Sequence, residues 1–460
     1  MDKGKDVIIV GAGLTGLALG VFLKEKGIAF RIVEKNDEAG GVIGTRESNG
    51  FVYETGPNTG VLSTPELVRL FDLLKDRCKL EKADRGASKR YIWKRGKWRA
   101  MPSGLFSSVG TPLFSFYDKL RILGEPFRKP GDNPYESVAD LVRRRMGKSF
   151  LDYAVNPFIS GVYAGDPEKL ITKYALPKLY NLEQNYGSFL GGAIKKAREP
   201  KSELERRATR EVFSALGGLK NLVDAMVEYI GKENIEMGCT DTLISKKEVS
   251  GYECSYEKDG KIKALHGKYM VTTGGSENLD KLIPFVDTHD IDKIMEIRHA
   301  KIALAAVGYK EWKGFKLDAF GGLVPSKEKR KVLGVLFPSA IFKGRAPHKG
   351  ALLSVFMGGY RDPYIIEKTD TEIENIVLRE VGEMMGTGDK MPDLIDIYRY
   401  ERAIPQYELS SAERFDVIEK IQQEYPGLFL AGNIRDGIGM ADRVKQAGQI
   451  AEIIFKTHGS

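Results

Sequence analysis

The sequence predicts an α/β fold in which one domain is assembled from separate segments of the chain and is interrupted by two insertions. Near the N-terminus, an apolar run at residues 7–10 leads through a glycine-rich turn into residues with helical spacing. Strand-like runs return at roughly residues 235–275, and a buried strand at 427–433 is followed by a helix from about Arg443. Because one largely parallel sheet can accommodate all these segments, we expect a Rossmann-like domain with the insertions between them.

The glycine-rich turn has the spacing of a dinucleotide-binding motif. Gly11 allows the tight turn from strand to helix, Gly13 lets the backbone approach a diphosphate, and Gly16 lets the helix pack closely on the strand. The helix N-terminus then directs backbone N–H groups at the phosphates. A second apolar run ends at Glu34, 18 residues after Gly16, where a carboxylate can accept hydrogen bonds from ribose hydroxyls. The cofactor-binding residues predicted here are Gly11, Gly13, Leu14, Thr15, Gly16, Glu34 and Lys35.

Further segments are predicted to contact the same cofactor. Gly40 and Gly41, with Thr45 behind them, resemble the second glycine motif of flavoproteins of the amine oxidase class, although Val42 stands where an arginine often occurs. Near the C-terminus, glycines would allow close backbone approach ahead of the last helix, although a plain strand–helix unit is the alternative. The residues predicted from these segments and their surroundings are Gly40, Gly41, Thr45, Gly56, Pro57, Asn58, Thr273, Gly432, Asn433 and Gly439.

Length and composition limit the class of protein. At 460 residues, the chain is long enough for two or three domains with sizeable cores. Hydrophobic residues make up 42% and charged residues 29%, as in soluble globular proteins, and no apolar run approaches the roughly 18 residues of a membrane-spanning helix. Strand-forming residues begin close to Met1, so we expect no signal peptide. Cys78, Cys239 and Cys254 lie far apart and in no metal-binding spacing, which indicates free thiols and a cytoplasmic location.

The net charge of +8 and the pI near 9.0 point to an anionic partner. The positive charge is concentrated in short clusters at residues 89–90, 94–99, 143–145, 195–196 and 206–207. No recognition motif accompanies them, so we predict no nucleic-acid partner. An anionic membrane surface fits better, because the aromatic-rich stretch from Leu105 to Phe116 precedes Arg121, Arg128 and Lys129. A core helix with a basic outer face is the alternative for this stretch.

Local patterns predict the remaining elements in chain order. A capped helix begins near residues 63–66, and a hairpin turns at Arg95 and Gly96 between Trp93 and Trp98. Residues from about 102 to about 201 are predicted to be largely helical, and the excursion at about 280–410 is rich in strands. We therefore predict an FAD-type nucleotide-binding domain from residues 1–85, 210–275 and 410–460, a mixed α+β substrate-binding domain from 86–101 and 276–409, and a helical domain from 102–209.

The segment NPFISGVYAGDPEKL at residues 156–170 closely resembles a helical segment of the FAD-dependent porphyrinogen oxidases. This family comprises the protoporphyrinogen oxidases of haem biosynthesis and their coproporphyrinogen-oxidising relatives. Further agreement is found at residues 54–58, 179–184, 320–325, 403–407 and 428–433. The resemblance implies FAD as cofactor and the oxidation of protoporphyrinogen IX to protoporphyrin IX, with oxygen as acceptor and hydrogen peroxide as product. Oxidation of coproporphyrinogen III to coproporphyrin III is the alternative on the same fold.

The same resemblance implies substrate contacts. Arg90 matches the arginine that the family pairs with a propionate, and Gly161 matches a glycine whose carbonyl faces the pyrrole N–H groups. Leu323, Leu336 and Phe356 match apolar residues that sandwich the ring. No catalytic side chain is predicted, because the flavin accepts hydride at N5 and the five histidines lie in no triad-like or metal-like arrangement. The resemblance is also compatible with a homodimer and with peripheral attachment to the inner face of the cytoplasmic membrane.

The flavin motifs of this chain also occur in proteins with other functions. A different amine oxidase relative would act on a polyamine or a carotenoid, and a lipid-anchor chaperone of small GTPases would bind its partner without catalysis. The full set of flavin motifs disfavours such a chaperone, and Gly40 and Gly41 disfavour an NAD-dependent dehydrogenase. A flavin spectrum that survives desalting would separate these classes.

Overall fold

The computed structural model describes residues 5–102, 110–248 and 251–458. Its first stretch contains the elements β1 (Lys5–Val10), α1 (Leu14–Glu25), β2 (Phe30–Val33), β3 (Thr45–Ser48), β4 (Phe51–Glu54), β5 (Gly60–Val61), α2 (Pro65–Leu73), β6 (Leu80–Lys82), β7 (Lys89–Lys94) and β8 (Lys97–Ala100). The second contains α3 (Phe116–Leu123), α4 (Val138–Arg145), α5 (148–163), α6 (Thr172–Ala175), α7 (Pro177–Tyr186), α8 (Phe189–Ala197), α9 (Glu203–Arg207), β9 (Val212–Ala215), α10 (Lys220–Ile230), β10 (Ile235–Glu236) and β11 (Thr240–Lys246). The third contains β12 (Tyr252–Lys258), β13 (Lys261–Thr272), α11 (Leu279–Leu282), α12 (Thr288–Met295), β14 (His299–Tyr309), β15 (Ala319–Leu323), β16 (Val332–Leu336), α13 (Pro338–Ile341), β17 (Ala351–Gly358), α14 (Asp370–Met385), β18 (Leu394–Pro405), α15 (Ser411–Glu424), β19 (Leu428–Leu430) and α16 (Met440–His458).

The first sheet joins strands from the beginning, middle and end of the chain. Its order is β10-β2-β1-β13-β12-β11, and β19 also pairs with β13. The strands β10, β2, β1, β13 and β19 run parallel, whereas β12 and β11 are antiparallel additions. Helices α1, α2, α10 and α16 share one core on one face of this sheet. The predicted α/β class and the assembly from discontinuous segments are confirmed.

One predicted domain boundary is wrong in detail. The prediction begins the substrate-binding domain at residue 276, but Leu279 and Ile294 pack in the same core as Ile8 and Met270 of the first sheet. Helices α11 and α12 therefore belong with the nucleotide-binding domain. The run of charged and apolar residues there has helical spacing but gives no sign of which sheet it packs against.

The second sheet has the order β18-β14-β17-β16-β15-β7-β8. The hairpin of β7 and β8 forms as predicted, because Arg95 and Gly96 both adopt positive φ, 51° and 74°, as a two-residue hairpin turn requires. Helix α14 covers one face of the sheet with a core of alternating strand residues. The opposite face is turned towards the nucleotide-binding domain and the helical insertion.

The helical insertion is held together by buried charge. Arg145 is fully buried and forms ion pairs with Glu125 and Glu183, and Glu125 also accepts a hydrogen bond of 2.9 Å from Phe189 N. Arg144 pairs with Glu183 as well. Arg144 and Arg145, which belong to one of the basic clusters in the sequence, are therefore neutralised by internal carboxylates. Paired charges look the same in sequence as solvated ones.

Two further predictions concern helices. Helix α2 begins as expected, with Thr64 capping it and Pro65 at its first position. Helix α16 begins at Met440, three residues before the predicted start at Arg443. In the part of the chain that the structure describes, no helix combines the length and the hydrophobicity needed to cross a bilayer.

Candidate active site

The glycine-rich loop after β1 has the geometry that a diphosphate requires. A Cβ at Gly16 would lie 2.0 Å from the Gly11 carbonyl oxygen, so this glycine allows α1 to approach β1. Gly11 has a φ of +109°, and a Cβ there would lie 2.5 Å from Thr273 Oγ1. A Cβ at Gly13, in contrast, would meet no heavy atom within 4 Å. Gly11 and Gly16 are therefore needed by the fold itself, whereas Gly13 borders open space.

Backbone N–H groups line this open space. The N-cap residue Gly13 gives α1 no side-chain cap, and the first helical hydrogen bond runs from Leu17 N to Gly13 O at 3.0 Å. Within the described residues, the N–H groups of Gly13, Thr15 and Gly16 have no hydrogen-bond acceptor, whereas Leu14 takes part in the backbone bridge between Gly13 and Gly40. Together with the helix dipole, such groups favour an anion such as a diphosphate.

Glu34 lies at the end of β2, beside the same loop. Its carboxylate is buried and accepts hydrogen bonds from Ala12 N at 2.6 Å and from Asn36 N at 3.0 Å. These two bonds fix the carboxylate while each oxygen keeps a further lone pair for a ribose hydroxyl. Lys35, the next residue, is exposed.

The second glycine motif packs against the first. Gly40 N donates to Ala12 O at 2.9 Å, and a Cβ at Gly41 would lie 3.5 Å from Gly13 Cα. The Thr45 hydroxyl donates to Glu54 at 2.6 Å and accepts from Lys220 N at 3.1 Å. Thr45 thus joins β3, β4 and α10, and its contact with the cofactor stays a prediction.

Glu54 is the centre of a buried polar cluster. It pairs with Arg345 at 2.9 Å and also accepts a hydrogen bond from Leu219 N at 3.1 Å. Burial raises the pKa of Glu54, although Arg345 opposes this effect. The cluster anchors the segment that follows β4, where Gly56, Pro57 and Asn58 lie.

This segment connects the cofactor-binding loops to the second sheet. A Cβ at Gly56 would lie 2.0 Å from Val42 O, so the segment packs directly on the second glycine motif. Asn58 is buried, and its Oδ1 accepts a hydrogen bond of 2.6 Å from Ser354 on β17. Tyr400 on β18 donates to Thr55 O, also at 2.6 Å. Two direct hydrogen bonds therefore set the second sheet against the predicted cofactor site.

The C-terminal loop, residues 432–439, is held from behind by buried side chains. Tyr407 donates to Asn433 O at 2.9 Å, Arg414 donates to Ile434 O at 3.1 Å, and Arg443 donates to Gly432 O and Arg435 O. These bonds fix the loop backbone from behind. The N–H groups of Asn433, Ile434 and Asp436 have no acceptor among the described residues. The loop thus presents a second row of free N–H donors.

Three of the loop's own residues are predicted cofactor contacts. Gly432 has a φ of +90°, and a Cβ there would lie 2.8 Å from Thr273 O, which brings this loop beside the end of β13. The N–H of Gly432 donates to Gln446 at 2.9 Å, and that of Gly439 donates to Asp442 at 3.1 Å. Of the three residues Gly432, Asn433 and Gly439, only Asn433 has a backbone N–H group without an acceptor among the described residues.

The residues predicted to bind substrate lie on one face of the second sheet. Val335 and Val355 pack in the core beneath α14, so their neighbours Leu336 and Phe356 point to the opposite face. The same alternation in β7 places Arg90 on that face, because the next residue, Tyr91, belongs to the α14 core.

The strand register brings these residues together. Leu323 pairs with Gly334, and Gly334 pairs with Phe356, so no side chain stands between Leu323 and Phe356 on this face. The Leu323 side chain leans over this strip, because a Cβ at Gly334 would lie 3.1 Å from Leu323 Cδ2. We call the strip of the face between Leu323 and Phe356 the groove. In the adjacent row, Arg90 and Leu336 both pair with Gly321. The structure therefore places an apolar groove next to one arginine.

Arg90 has the environment of an unpaired cation. Its residue is exposed, and its guanidinium lies 5.7 Å from the centre of the Phe320 ring. In the described part of the chain, no carboxylate forms an ion pair with it, whereas the neighbouring Lys89 pairs with Asp318 at 2.7 Å. Arg90 is thus available to an external carboxylate.

Helix α5 closes one side of this groove. Its segments Leu151–Val155 and Ile159–Tyr163 are π-helical, a local widening that occurs often at functional sites. A Cβ at Gly161 would lie 2.4 Å from Leu323 Cδ2, so the helix backbone contacts Leu323 directly. Gln406 donates to Tyr163 O at 2.9 Å and fixes the end of the second π-helical segment.

Sequence reasoning did not assign a role to several residues that build this site. Tyr407, Arg414 and Gln446 hold the C-terminal loop, and Ser354 and Tyr400 hold the segment after β4. Arg443 and Gln446 are polar residues one turn apart on an otherwise apolar helix face, a pattern that could have indicated them. The others carry no local signal, since their partners lie far away in sequence.

Comparisons with known proteins decide the family. A family model described as flavin containing amine oxidoreductase matches residues 14–451. The chain belongs to this family. Among curated relatives, the chain is 30% identical to protoporphyrinogen oxidase 1, chloroplastic, of Arabidopsis thaliana, over 97% of this chain and 87% of the relative. It is 26% identical to coproporphyrinogen III oxidase of Bacillus subtilis, over 97% of both chains.

Solved structures agree on the fold. A crystal structure titled putative protoporphyrinogen oxidase, from an Exiguobacterium species, superimposes with a TM-score of 0.80 at 21% identity over 99% of both chains. Cyclohexylamine oxidase from Brevibacterium oxydans superimposes with a TM-score of 0.71 at 15% identity over the full length of both chains. At these identities, the likeness supports the shared fold.

As a member of this family, the protein is an FAD-dependent oxidoreductase. The residues present fit this cofactor: open space over Gly13 and the free N–H groups of α1 suit its diphosphate, and the buried Glu34 carboxylate suits a ribose. The C-terminal loop, which follows β19 at the edge of the same sheet, adds a second set of N–H donors. The other residues predicted to bind FAD remain predictions at the positions described above.

Proposed function

We propose that this enzyme oxidises a porphyrinogen in haem biosynthesis, with protoporphyrinogen IX as the first candidate substrate and molecular oxygen as the acceptor. The observation that carries the proposal is the shared face of the second sheet. Arg90, Leu323, Leu336 and Phe356 come from four strands, yet all lie on that face, and Leu323 contacts Gly161. These are the residues that the resemblance to porphyrinogen oxidases had selected.

The groove suits the chemistry of such a substrate. A porphyrinogen is a bulky apolar macrocycle with propionate arms, so its ring needs apolar walls and its arms need cations. Leu323 and Phe356 form walls on either side of Gly334, and Arg90 supplies a planar guanidinium for a carboxylate. When bound, FAD supplies the redox chemistry by accepting hydride at N5, with hydrogen peroxide as the product of its reoxidation by oxygen. The protein's own residues are needed to bind the macrocycle, orient it and exclude water.

Coproporphyrinogen III is the second candidate, and one observation favours it. Arg99 on β8 pairs with Ile92, whose side chain packs on the groove side of the sheet against Leu323. Arg99 therefore lies on the same face as Arg90, and among the described residues neither forms an ion pair. A face with two free guanidinium groups suits a substrate with four propionates better than one with two.

Kinetics with both substrates test the proposal. The purified, FAD-loaded enzyme is given protoporphyrinogen IX or coproporphyrinogen III in air, and formation of the fluorescent porphyrin is followed with hydrogen peroxide release. A higher kcat/KM for protoporphyrinogen IX would support the first candidate, and the reverse order would select the second. A flavin that is reduced by neither porphyrinogen under anaerobic conditions would refute the proposal for both.

We also propose that the helical insertion contacts an anionic membrane surface, with the protein otherwise in the cytoplasm. Helix α3 and the turn after it expose Tyr117 to 82%, Leu123 to 62% and Phe127 to 90%. Arg121 and Arg128 lie among them, and such a mixture suits a lipid interface. The start of the predicted aromatic stretch, at Leu105 and Phe106, lies outside the described residues. Binding to phosphatidylglycerol vesicles that disappears at high salt would support this proposal, and no binding at any salt concentration would refute it.

Homodimerisation stays a prediction. Size-exclusion chromatography with light scattering measures it directly.

A further inference from the structure

The C-terminal loop is backed by two buried arginines without a counter-charge. Arg414 is fully buried and Arg443 is 7% exposed. Among the described residues, no carboxylate forms an ion pair with either guanidinium. Burial lowers the pKa of Arg443, and Tyr407, Asp436 and Asp442 oppose this effect only in part. The hydrogen bonds of the two arginines go instead to loop carbonyl groups, to the Ser411 hydroxyl and to the Gln446 amide.

Such an arrangement is costly unless something else supplies negative charge. Burying an unpaired guanidinium removes its hydration, and the carbonyl dipoles replace only part of it. Burial lowers the pKa of Arg414 to about 10, so the group stays charged at neutral pH. Arg414 Nη1 and Arg443 Nε have no hydrogen-bond partner in the described structure. The positive charge is therefore retained next to the loop without being neutralised there.

The position of the loop indicates which part of FAD faces it. The glycine-rich loop follows β1, and the C-terminal loop follows β19, with β13 between the two strands. At about 4.8 Å between neighbouring strands, the two loops lie about 10 Å apart. One diphosphate over the N-terminus of α1 does not reach that far, whereas the ribityl chain and the ring extend beyond it. The second set of donors thus faces the ring side of the cofactor.

We propose that Arg414 and Arg443 are positioning residues that hold the C-terminal loop and place buried positive charge behind it, so that the enzyme binds reduced FAD more tightly than oxidised FAD. Two-electron reduction at neutral pH leaves the flavin ring with a negative charge, while the oxidised ring is neutral. A fixed cation favours the reduced form selectively, because a charge interaction is stronger where water is excluded. This inference depends on FAD as cofactor and not on the identity of the substrate.

The test compares FAD affinity in the two redox states. Apoprotein of wild type, Arg414→Met and Arg443→Met is titrated with oxidised FAD by fluorescence, and the reduction potential of each holoprotein is measured with a redox dye. We expect each variant to lose at least tenfold more affinity for reduced than for oxidised FAD. For a two-electron couple, tenfold corresponds to a potential lowered by about 30 mV.

Further variants separate charge from folding. Arg414→Gln keeps hydrogen-bond donors without the charge, so it should lower the potential as the methionine variant does and provides the test if Arg414→Met fails to fold. Arg414→Lys keeps the charge and should retain most of the preference for reduced FAD. Arg95→Met is the control, since it removes the same charge from the exposed hairpin turn of the second sheet. Equal loss of affinity for both redox states, or an unchanged potential in the Met and Gln variants, would overturn the proposal.

Discussion

The different roles of Gly13 and Gly16 give a sharp test of the cofactor site. Both residues belong to one motif, and alanine adds a single methyl group at each position. At Gly16, that methyl would lie 2.0 Å from the Gly11 carbonyl oxygen and 3.1 Å from its carbon. At Gly13, it would meet no heavy atom within 4 Å, and the φ of −73° suits alanine. The same substitution should therefore affect the fold at one position and the ligand at the other.

The size of each effect follows from these distances. A carbon and a carbonyl oxygen normally approach no closer than about 3.2 Å, so α1 must move by roughly 1 Å to accept Gly16→Ala. Overpacking of this kind costs about 1–3 kcal/mol of folding free energy. Gly13→Ala should change the stability of the apoprotein by less than about 0.5 kcal/mol. Its methyl fills the space over the free N–H groups, so we expect FAD affinity to fall at least tenfold, or about 1.4 kcal/mol.

Two measurements on each apoprotein are sufficient. Chemical unfolding followed by circular dichroism gives stability, and quenching of FAD fluorescence gives affinity. Gly16→Ala should lose stability in the absence of FAD, and Gly13→Ala should unfold like wild type but retain little cofactor. If Gly13→Ala binds FAD with wild-type affinity, the diphosphate does not lie over Gly13 and the assignment of this loop is wrong.

Three other perturbations test separate parts of the site. Arg90→Ala should weaken porphyrinogen binding by about 2–5 kcal/mol, seen as a raised KM, while Arg95→Ala in the exposed hairpin turn should have little effect; similar small effects from both would make Arg90 an ordinary surface charge. Glu34→Ala should weaken FAD binding by about 1–3 kcal/mol in a fluorescence titration, and an unchanged affinity would move the ribose contact elsewhere. Burial, with a smaller contribution from Arg402, lowers the pKa of His299 to about 4 in the folded protein. The unfolded chain therefore takes up this proton first, at about pH 6.5, so stability should fall between about pH 6.5 and pH 4, and less steeply in His299→Gln.

The predictable part of this protein is the part with local signals. An apolar run predicted β1, and the helical spacing of apolar residues predicted α1 and α2. The two turn residues Arg95 and Gly96 predicted the hairpin. The roles of Gly11 and Gly16 could also be predicted, because only a residue without a side chain fits where two backbone segments approach this closely. In these cases, the sequence neighbours of a residue are also its partners in space.

The part that was not predicted depends on partners far away in sequence. The Thr45 hydroxyl is bonded to Glu54 and to the backbone of Lys220, and the sequence around Thr45 indicates neither partner. Arg145 looked like surface charge because its partner Glu183 follows 38 residues later. A polar side chain has the same appearance in sequence whether it faces solvent, a ligand or a buried partner. Only the packing of the elements separates these cases.

The contacts between the two sheets explain how residues from such distant segments can form one site. Ser354 donates to Asn58 from the same strand that carries Phe356, two residues along and on the same face. Tyr400 holds Thr55 on the other side of the same segment. The strand that provides an apolar wall is thus bonded directly to a loop predicted to touch FAD. A shift of the second sheet would break these buried hydrogen bonds before it changed the groove itself. The distance between substrate groove and cofactor is therefore set by the protein's own hydrogen bonds, and the two predicted sites constitute a single candidate active site.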